Sequence, residues 1–363
     1  MEILIHAAEG SIATGIGQHV YYLGKGLIEE GFKVKYIFGR DSSKLYRGYQ
    51  QRFPKKLIDE DLFISPLFFK LAINKNKFDI IHSHAQIAYN SIFWYPEKSI
   101  TTLHGTDHGV YEQYLLEKEK RNINKNIGTD IHFKITLLKE KFAHKQAKLL
   151  ISVSKGVDLE ALRFFHRHTC IALNGVDCNE FRPDYKGYNL RKSFGISKDQ
   201  IMILFIGQND WRKGLGYLIS ALNDPKNKYK IIVGGLPKKY IHKNVISLGF
   251  LDHNLKKRLL ASCDIFCLPS LYEGMSLVML EAMACGKPCL LTDVHGTDII
   301  SNHKNGIIVP KRNIEKIREG LNYLSEKTIR EEIGWRARET AEKYPWSRTV
   351  KSTIHAYEKS KLI

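Results

Sequence analysis

Residues 264–292 read DIFCLPSLYEGMSLVMLEAMACGKPCLLT. The stretch opens on Asp264-Ile265-Phe266-Cys267-Leu268 and closes on Cys289-Leu290-Leu291-Thr292. Both are short apolar runs of strand length, as in strands buried on both faces. Between them Ser276 has the chemistry of a helix N-cap, and the helix it opens is apolar except for Glu281. Strand, helix and strand make one unit of a parallel sheet covered by helices.

The same alternation recurs on either side. Residues 34–38, 79–82, 100–103 and 149–153 read as strands of an earlier series, and 201–205 and 230–233 as strands of the later one. Met1-Glu2-Ile3-Leu4-Ile5-His6 starts a strand. Val20, Leu23, Leu27 and Ile28 mark the apolar face of a helix. Residues 313–343 read as charged amphipathic helices, and the tail after Pro345 as a separate helix with Trp346, Val350, Ile354 and Tyr357 on one face. Turn chemistry between Asn174-Gly175-Val176-Asp177 and Arg182-Pro183-Asp184 separates the two series. The expected architecture is two doubly wound α/β domains, residues 1–168 and 169–345. A cleft between the carboxyl ends of their strands is the default ligand site.

The chain has 363 residues, 43% hydrophobic and 26% charged. That is enough for two cores and excludes disorder, collagen or a disulfide scaffold. No run of about 18 apolar residues exists to span a bilayer. The first residues lack a basic and apolar leader, so a cytoplasmic place is expected. Cys170, Cys178, Cys263, Cys267, Cys285 and Cys289 lie mostly in or beside apolar segments, as reduced core residues do. Cys263/Cys267 and Cys285/Cys289 share C-x3-C spacing, but the first pair runs along a strand and no zinc site is expected. Net charge is +18. It points to an anionic partner, or to a solvated basic surface.

Four segments carry candidate chemistry. In Tyr272-Glu273-Gly274-Met275-Ser276-Leu277-Val278 the backbone N–H groups at the helix start form an anion site. Glu281, on an otherwise apolar helix, needs a partner or a ligand, since a buried unpaired carboxylate costs several kcal/mol. Glu273 lies in the loop before that helix; the plain alternative is one capping acid and one salt-bridged helix acid. After the strand ending at Phe205-Ile206 comes Gly207-Gln208-Asn209-Asp210-Trp211-Arg212-Lys213-Gly214. Adjacent cations at the end of a strand suit a diphosphate; the alternative is a solvated surface pair. Thr14-Gly15-Ile16-Gly17-Gln18-His19 follows the first strand, where glycines admit a ligand to the backbone. His104 follows strand 100–103, and His82 and His84 follow a nearby strand. A metal site is conceivable there, but none is expected without a carboxylate cluster. Asp59-Glu60-Asp61 reads as an exposed acidic turn.

In this order the segments resemble the family-4 retaining glycosyltransferases, which have the GT-B fold. Glu273 and Glu281 match the E-x7-E motif, and Arg212-Lys213-Gly214 the phosphate-binding cations. Thr14-Gly15-Ile16-Gly17 matches the N-terminal glycine loop, with Thr14 in the place of a first glycine. His104-Gly105 matches the donor-side histidine. Asn174-Gly175-Val176-Asp177 matches the interdomain segment, and Asn305-Gly306-Ile307-Ile308-Val309-Pro310 the strand near the end. The tail with Tyr344 and Trp346 resembles a helix, 346–363, that crosses back to the first domain. The resemblance implies two Rossmann-like domains and a metal-independent enzyme without cofactor, acting on a UDP- or GDP-linked sugar. It implies that Glu281 binds the donor ribose and that Arg212 and Lys213 hold the diphosphate. Backbone of Ser276, Leu277 and Val278 assists them. Glu273 and His104 orient the sugar, and Gly15 and Gly17 allow close approach. Backbone near Phe250 and Leu251 meets the base, and His19 lies near donor or acceptor. Gln208 stands where many members have arginine.

The acceptor implied is a glycan or lipid-linked sugar in polysaccharide, lipopolysaccharide or glycolipid synthesis. Residues 33–77 hold eleven Lys/Arg against four Asp/Glu, and 118–148 hold nine against three. These stretches suggest docking of the first domain on an anionic membrane, with a peripheral place on its inner face. The rival readings are a nucleotide-sugar epimerase of similar fold and a basic non-catalytic protein binding nucleic acid or glycan. The motif set disfavours the first. A buried acid without a basic-aromatic motif disfavours the nucleic-acid reading. A glycoside hydrolase would also use two carboxylates, but the adjacent cations favour a phosphate ligand.

Overall fold

The computed structural model describes residues 1–8, 14–38, 69–70, 73, 78–120, 127–183, 190–207, 210–222, 228–235 and 243–361. Asp59-Glu60-Asp61 and most of the basic stretch 33–77 lie outside the described residues. The chain divides into two compact units, Met1–Asn174 with Trp346–Ile363, and Gly175–Pro345.

The first unit holds a parallel sheet of β1 (Glu2–Ala7), β2 (Lys33–Phe38), β3 (Ile80–His84), β4 (Ser99–Leu103), β5 (Leu149–Ser152) and β6 (Cys170–Ile171), in the order β2-β1-β3-β4-β5-β6. The short β6 carries no sequence signal. Its pairing with β5 keeps the chain in this unit to Asn174, so the division falls after Asn174 rather than after residue 168. Ile3, Leu4 and Ile5 are fully buried, which requires cover on both faces of the sheet. Helix Gly15–Glu29 supplies one side with Val20, Leu23 and Leu27. Each such side chain contributes about 1.5–3 kcal/mol on burial. Ile28, expected on this face, is 49% exposed, because it lies one position beyond the inward stripe. Helix Trp346–Lys359 packs on the same core through Val350, Ala356 and Tyr357. Gly26 permits this approach: a Cβ there would lie 2.4 Å from Val350 Cγ2.

The second unit holds β7 (Ile201–Ile206), β8 (Tyr229–Gly234), β9 (Val245–Ser247), β10 (Ile265–Leu268), β11 (Cys289–Thr292) and β12 (Ile307–Val309). They run parallel in the order β12-β11-β10-β7-β8-β9. The chain builds outward from β7 through β8 and β9, then returns to β10 on the other side of β7. Such a reversal opens a gap between the two following loops, where ligands of open α/β sheets bind. Cys263, Cys267, Cys285 and Cys289 are buried and free, and burial pushes the Cys263 thiol up to about 12. None of the described helices is long and apolar enough to cross a membrane.

Candidate functional site

In the second unit the strand-order reversal joins two loops. The chain leaves β7 through Gly207 and enters helix Asp210–Lys213, and it leaves β10 through Pro269 and Ser270 toward Glu273. Lys213 Nζ donates to Glu273 Oε1 at 2.5 Å, and Ser270 Oγ donates to the same oxygen at 2.6 Å. Leu271 N donates to Arg212 O at 2.7 Å, tying the loops together. Gly214 makes their closeness possible. Its φ is +75°, and a Cβ there would lie 1.9 Å from Pro269 O.

Lys213 is therefore no solvated surface cation, because Glu273 takes it into the protein with only 14% of the side chain exposed. Burial and the neighbouring Arg212 lower its pKa, partly offset by Glu273. Burial alone would raise the Glu273 carboxyl, but Lys213, Arg212 and the hydrogen bonds from Lys213 and Ser270 hold it below the ordinary value.

Ser276 caps helix Leu277–Ala284, its side chain accepting from Met279 N. Glu273 is thus not the capping acid. The first intrahelical bond runs from Leu280 N to Ser276 O, so the amides of Leu277 and Val278 precede the ladder. Glu281 is 1% exposed, and Lys256 Nζ donates to its Oε1 at 2.7 Å. Lys256 comes from helix His253–Ser262, is 8% exposed, and sits 5.4 Å from the Phe181 ring centroid. Sequence reading asks for this partner without finding it. The signal is present, for Lys256 shares an apolar helix face with Leu259, Leu260 and Cys263. Leu251 covers the end of β8, since a Cβ on Gly234 would lie 2.3 Å from Leu251 Cδ1. Phe250 beside it is 70% exposed.

In the first unit His19, His84 and His104 bring metal-ligating atoms within 4.8 Å of one another. His82 is not among them. It lies inside β3 rather than after it, and Tyr357 Oη and Thr102 Oγ1 occupy its nitrogens at 2.7 Å each. His19 takes its place, from helix Gly15–Glu29. His19 Nδ1 bonds Asn174 Oδ1 at 2.9 Å, so Nδ1 carries the proton and Nε2 offers a lone pair. His84 Nδ1 and His104 Nε2 are 3.1 Å apart, and His84 Nε2 is buried with no partner among the described residues. A buried unpaired donor is the costlier orphan. The favoured tautomers therefore put the His84 proton on Nδ1, donated to His104, and leave His104 with its proton on Nδ1. Burial lowers His19 to about 4, and burial with neighbouring imidazoles lowers His84 and His104 well below the ordinary histidine value. The cluster is neutral near pH 7 and has the donor set to hold a metal ion or to meet hydroxyl groups. At the start of this helix Thr14 Oγ1 accepts from Gly17 N at 3.2 Å, and a Cβ on Gly15 would meet open space.

Known proteins resemble both units. The family model for Glycosyltransferase Family 4 matches residues 13–180, and that for Glycosyl transferases group 1 matches residues 188–340. An uncharacterized glycosyltransferase of Methanocaldococcus jannaschii is 32% identical over 232 residues, which is 58% of this chain and 59% of that protein. The N,N'-diacetylbacillosaminyl-diphospho-undecaprenol alpha-1,3-N-acetylgalactosaminyltransferase of Campylobacter jejuni is 30% identical over 202 residues, 51% of this chain and 52% of that one. The chain thus spans between half and three fifths of the length of these relatives. Among solved structures, an Anabaena protein in complex with UDP and glucose superposes with a TM-score of 0.77 at 16% identity, covering 99% of this chain and all of that one. That likeness concerns the fold. With a family-4 domain followed by a group 1 domain, each on its own parallel sheet, the chain belongs to the family-4 glycosyltransferases and has the GT-B fold.

Proposed function

We propose that the chain is a retaining, metal-independent hexosyltransferase. It moves a sugar from a nucleoside-diphosphate sugar, UDP-linked first and GDP-linked next, to a glycan or lipid-linked acceptor. The observation that carries this reading is Lys213 held on Glu273 beside Arg212, where the strand order reverses between β7 and β10. Arg212 and Lys213 bind the diphosphate, aided by the amides of Leu277 and Val278 at the helix capped by Ser276. Glu281, fixed by Lys256, accepts from the ribose hydroxyls, and backbone at Leu251 meets the base. Glu273 and His104, the latter through its Nδ1–H, orient the transferred sugar. Gly15 and Gly17 let that sugar lie against backbone, and His19 stands beside it.

The reaction breaks the bond between the anomeric carbon and the phosphate oxygen as the acceptor oxygen attacks from the same face. The acceptor proton passes to the departing phosphate. Negative charge growing on that phosphate meets fixed cations and a helix terminus, so the step requires no metal ion and no cofactor. The UDP bound by the Anabaena structure and the diphospho-undecaprenol acceptor named for the Campylobacter relative support the donor and acceptor classes. A lipid-linked acceptor fits a cytoplasmic protein peripheral to the inner membrane face, in assembly of a cell-surface polysaccharide, lipopolysaccharide or glycolipid.

Thermal shift with UDP, GDP, ADP and TDP tests the donor site. A nucleotide at about a hundred times its Kd raises stability by about 2.7 kcal/mol. UDP shifts the wild type, and Glu281→Ala abolishes the shift. No shift from any of the four on folded wild type refutes the donor reading. Turnover of UDP-sugar to its epimer without an acceptor would favour the epimerase instead.

A further inference from the structure

Helix Ile127–Gln146 in the first unit has an unusual outer ridge. Its inner side is accounted for. Ala143, His144 and Glu140 are buried, Phe133 lies 5.0 Å from the rings of both Tyr111 and Tyr114, and Glu140 accepts from the backbone N–H groups of Asp107 and His108. The outward ridge of a surface helix is ordinarily polar. Here it is Ile131, Ile135, Leu138 and Phe142, exposed by 52%, 45%, 70% and 43%. Their spacing of four, three and four places them in one row. Phe93, 41% exposed, extends the row from helix Ala88–Trp94, its ring 6.4 Å from that of Phe142.

Lysines flank this row. Lys134, Lys141 and Lys145 are exposed one helical step to the side. The acids of the same helix do not face outward with them, since Asp130 is paired with Lys118 at 2.9 Å and Glu140 is buried. An apolar ridge edged by lysines complements one surface chemistry, an apolar layer under anionic headgroups. Pairing this face with its own copy in an antiparallel two-fold sets lysine against lysine.

We propose that helix Ile127–Gln146 docks the protein on an anionic lipid bilayer. It lies in the interface plane with Ile131, Ile135, Leu138 and Phe142 at the acyl boundary and Lys134, Lys141 and Lys145 among the phosphates. The docking surface is this helix, one part of the basic stretch 118–148. Docking needs no turnover, so the assignment stands apart from the proposed reaction.

Co-sedimentation of the full chain with vesicles tests it. The wild type binds vesicles of phosphatidylcholine and phosphatidylglycerol in a two-to-one ratio, releases them in high salt, and leaves pure phosphatidylcholine vesicles nearly free. The variant carrying Ile135→Asp and Leu138→Asp binds at least tenfold more weakly. Changing Lys134, Lys141 and Lys145 to glutamine weakens binding about fivefold per lysine. Changing the exposed Lys304, Lys316 and Lys327 to glutamine removes the same charge from the second unit and leaves binding unchanged. The proposal is overturned if wild type ignores the anionic vesicles, if it binds neutral ones equally, or if the control triple change weakens binding as much. It is also overturned if wild type is a dimer in solution that Leu138→Asp makes monomeric. All variants keep the wild-type melting temperature and nucleotide shift, because the altered side chains are exposed. A wild type that shows the nucleotide shift but does not dock sinks only this proposal, and a wild type that docks without any nucleotide shift sinks only the reaction.

Discussion

Replacing Lys256 by methionine leaves the Glu281 carboxylate, 1% exposed, without the ammonium that now donates to it at 2.7 Å. Breaking a buried ion pair from one side costs about 3–5 kcal/mol, because the remaining charge stays desolvated. The cation–π contact of Lys256 with Phe181, 5.4 Å from nitrogen to centroid, adds about 0.5–2 kcal/mol to the loss. At about 2–4 °C per kcal/mol for a unit of this size, Lys256→Met melts roughly 15 °C below wild type. Replacing both partners, Lys256→Met with Glu281→Leu, removes the stranded charge and recovers most of that loss. Melting curves of wild type, the two single variants and the double variant yield the coupling. Adding UDP then separates stability from binding: the double variant is folded, yet nucleotide no longer shifts it. A Lys256→Met variant that melts within about 2 °C of wild type refutes the reasoning. So does a double variant no more stable than that single change.

Gly214→Ala places a Cβ against Pro269 O and forces a left-handed φ on alanine. It lowers stability by about 2 kcal/mol or more, and an unchanged melting temperature contradicts the geometry. Glu273→Gln removes the charge paired with Lys213 and cuts turnover about a hundredfold. Because Glu273 raises a lysine that burial lowers, the alkaline limb of the wild-type profile lies below the ordinary lysine range and moves to lower pH in the variant. A limb that stays put assigns it to another group. The first unit loses stability in mild acid. Burial lowers His6 and His82 to about 3 and His19 to about 4, so the unfolded chain binds their protons first. Stability is full above about pH 6.5 and falls as pH drops toward the folded values, by about 1.4 kcal/mol per pH unit for each histidine. Melting temperatures that are flat between pH 7 and 5 contradict this.

The fold was legible where the signal is local. Strand runs of four to six apolar residues, such as Ile201–Ile206, need no distant partner to be read, and neither does the N-cap at Ser276. Cys170–Ile171 and Val245–Ser247 were not legible, being too short for a pattern and held as strands by their neighbours β5 and β8. Ile28 fits the apolar period yet faces solvent, because a four-residue stripe leaves the angular edge of a helix face undetermined.

For the candidate site, residue types were readable and partners were not. Two series of βα units, a cationic loop after β7 and a helix whose one acid had to be compensated can all be read along the chain. These follow from chain-local periodicity and from the cost of burying charge. Which groups meet follows from the folded arrangement of strands and helices. Lys213 finds Glu273 at a separation of 60 residues, His19 finds Asn174 at 155, and His82 finds Tyr357 at 275. The last of these removed His82 from the imidazole cluster and left its place to His19. Sheet order sets such meetings, and sheet order is a property of strands pairing across the chain, which no window of sequence contains.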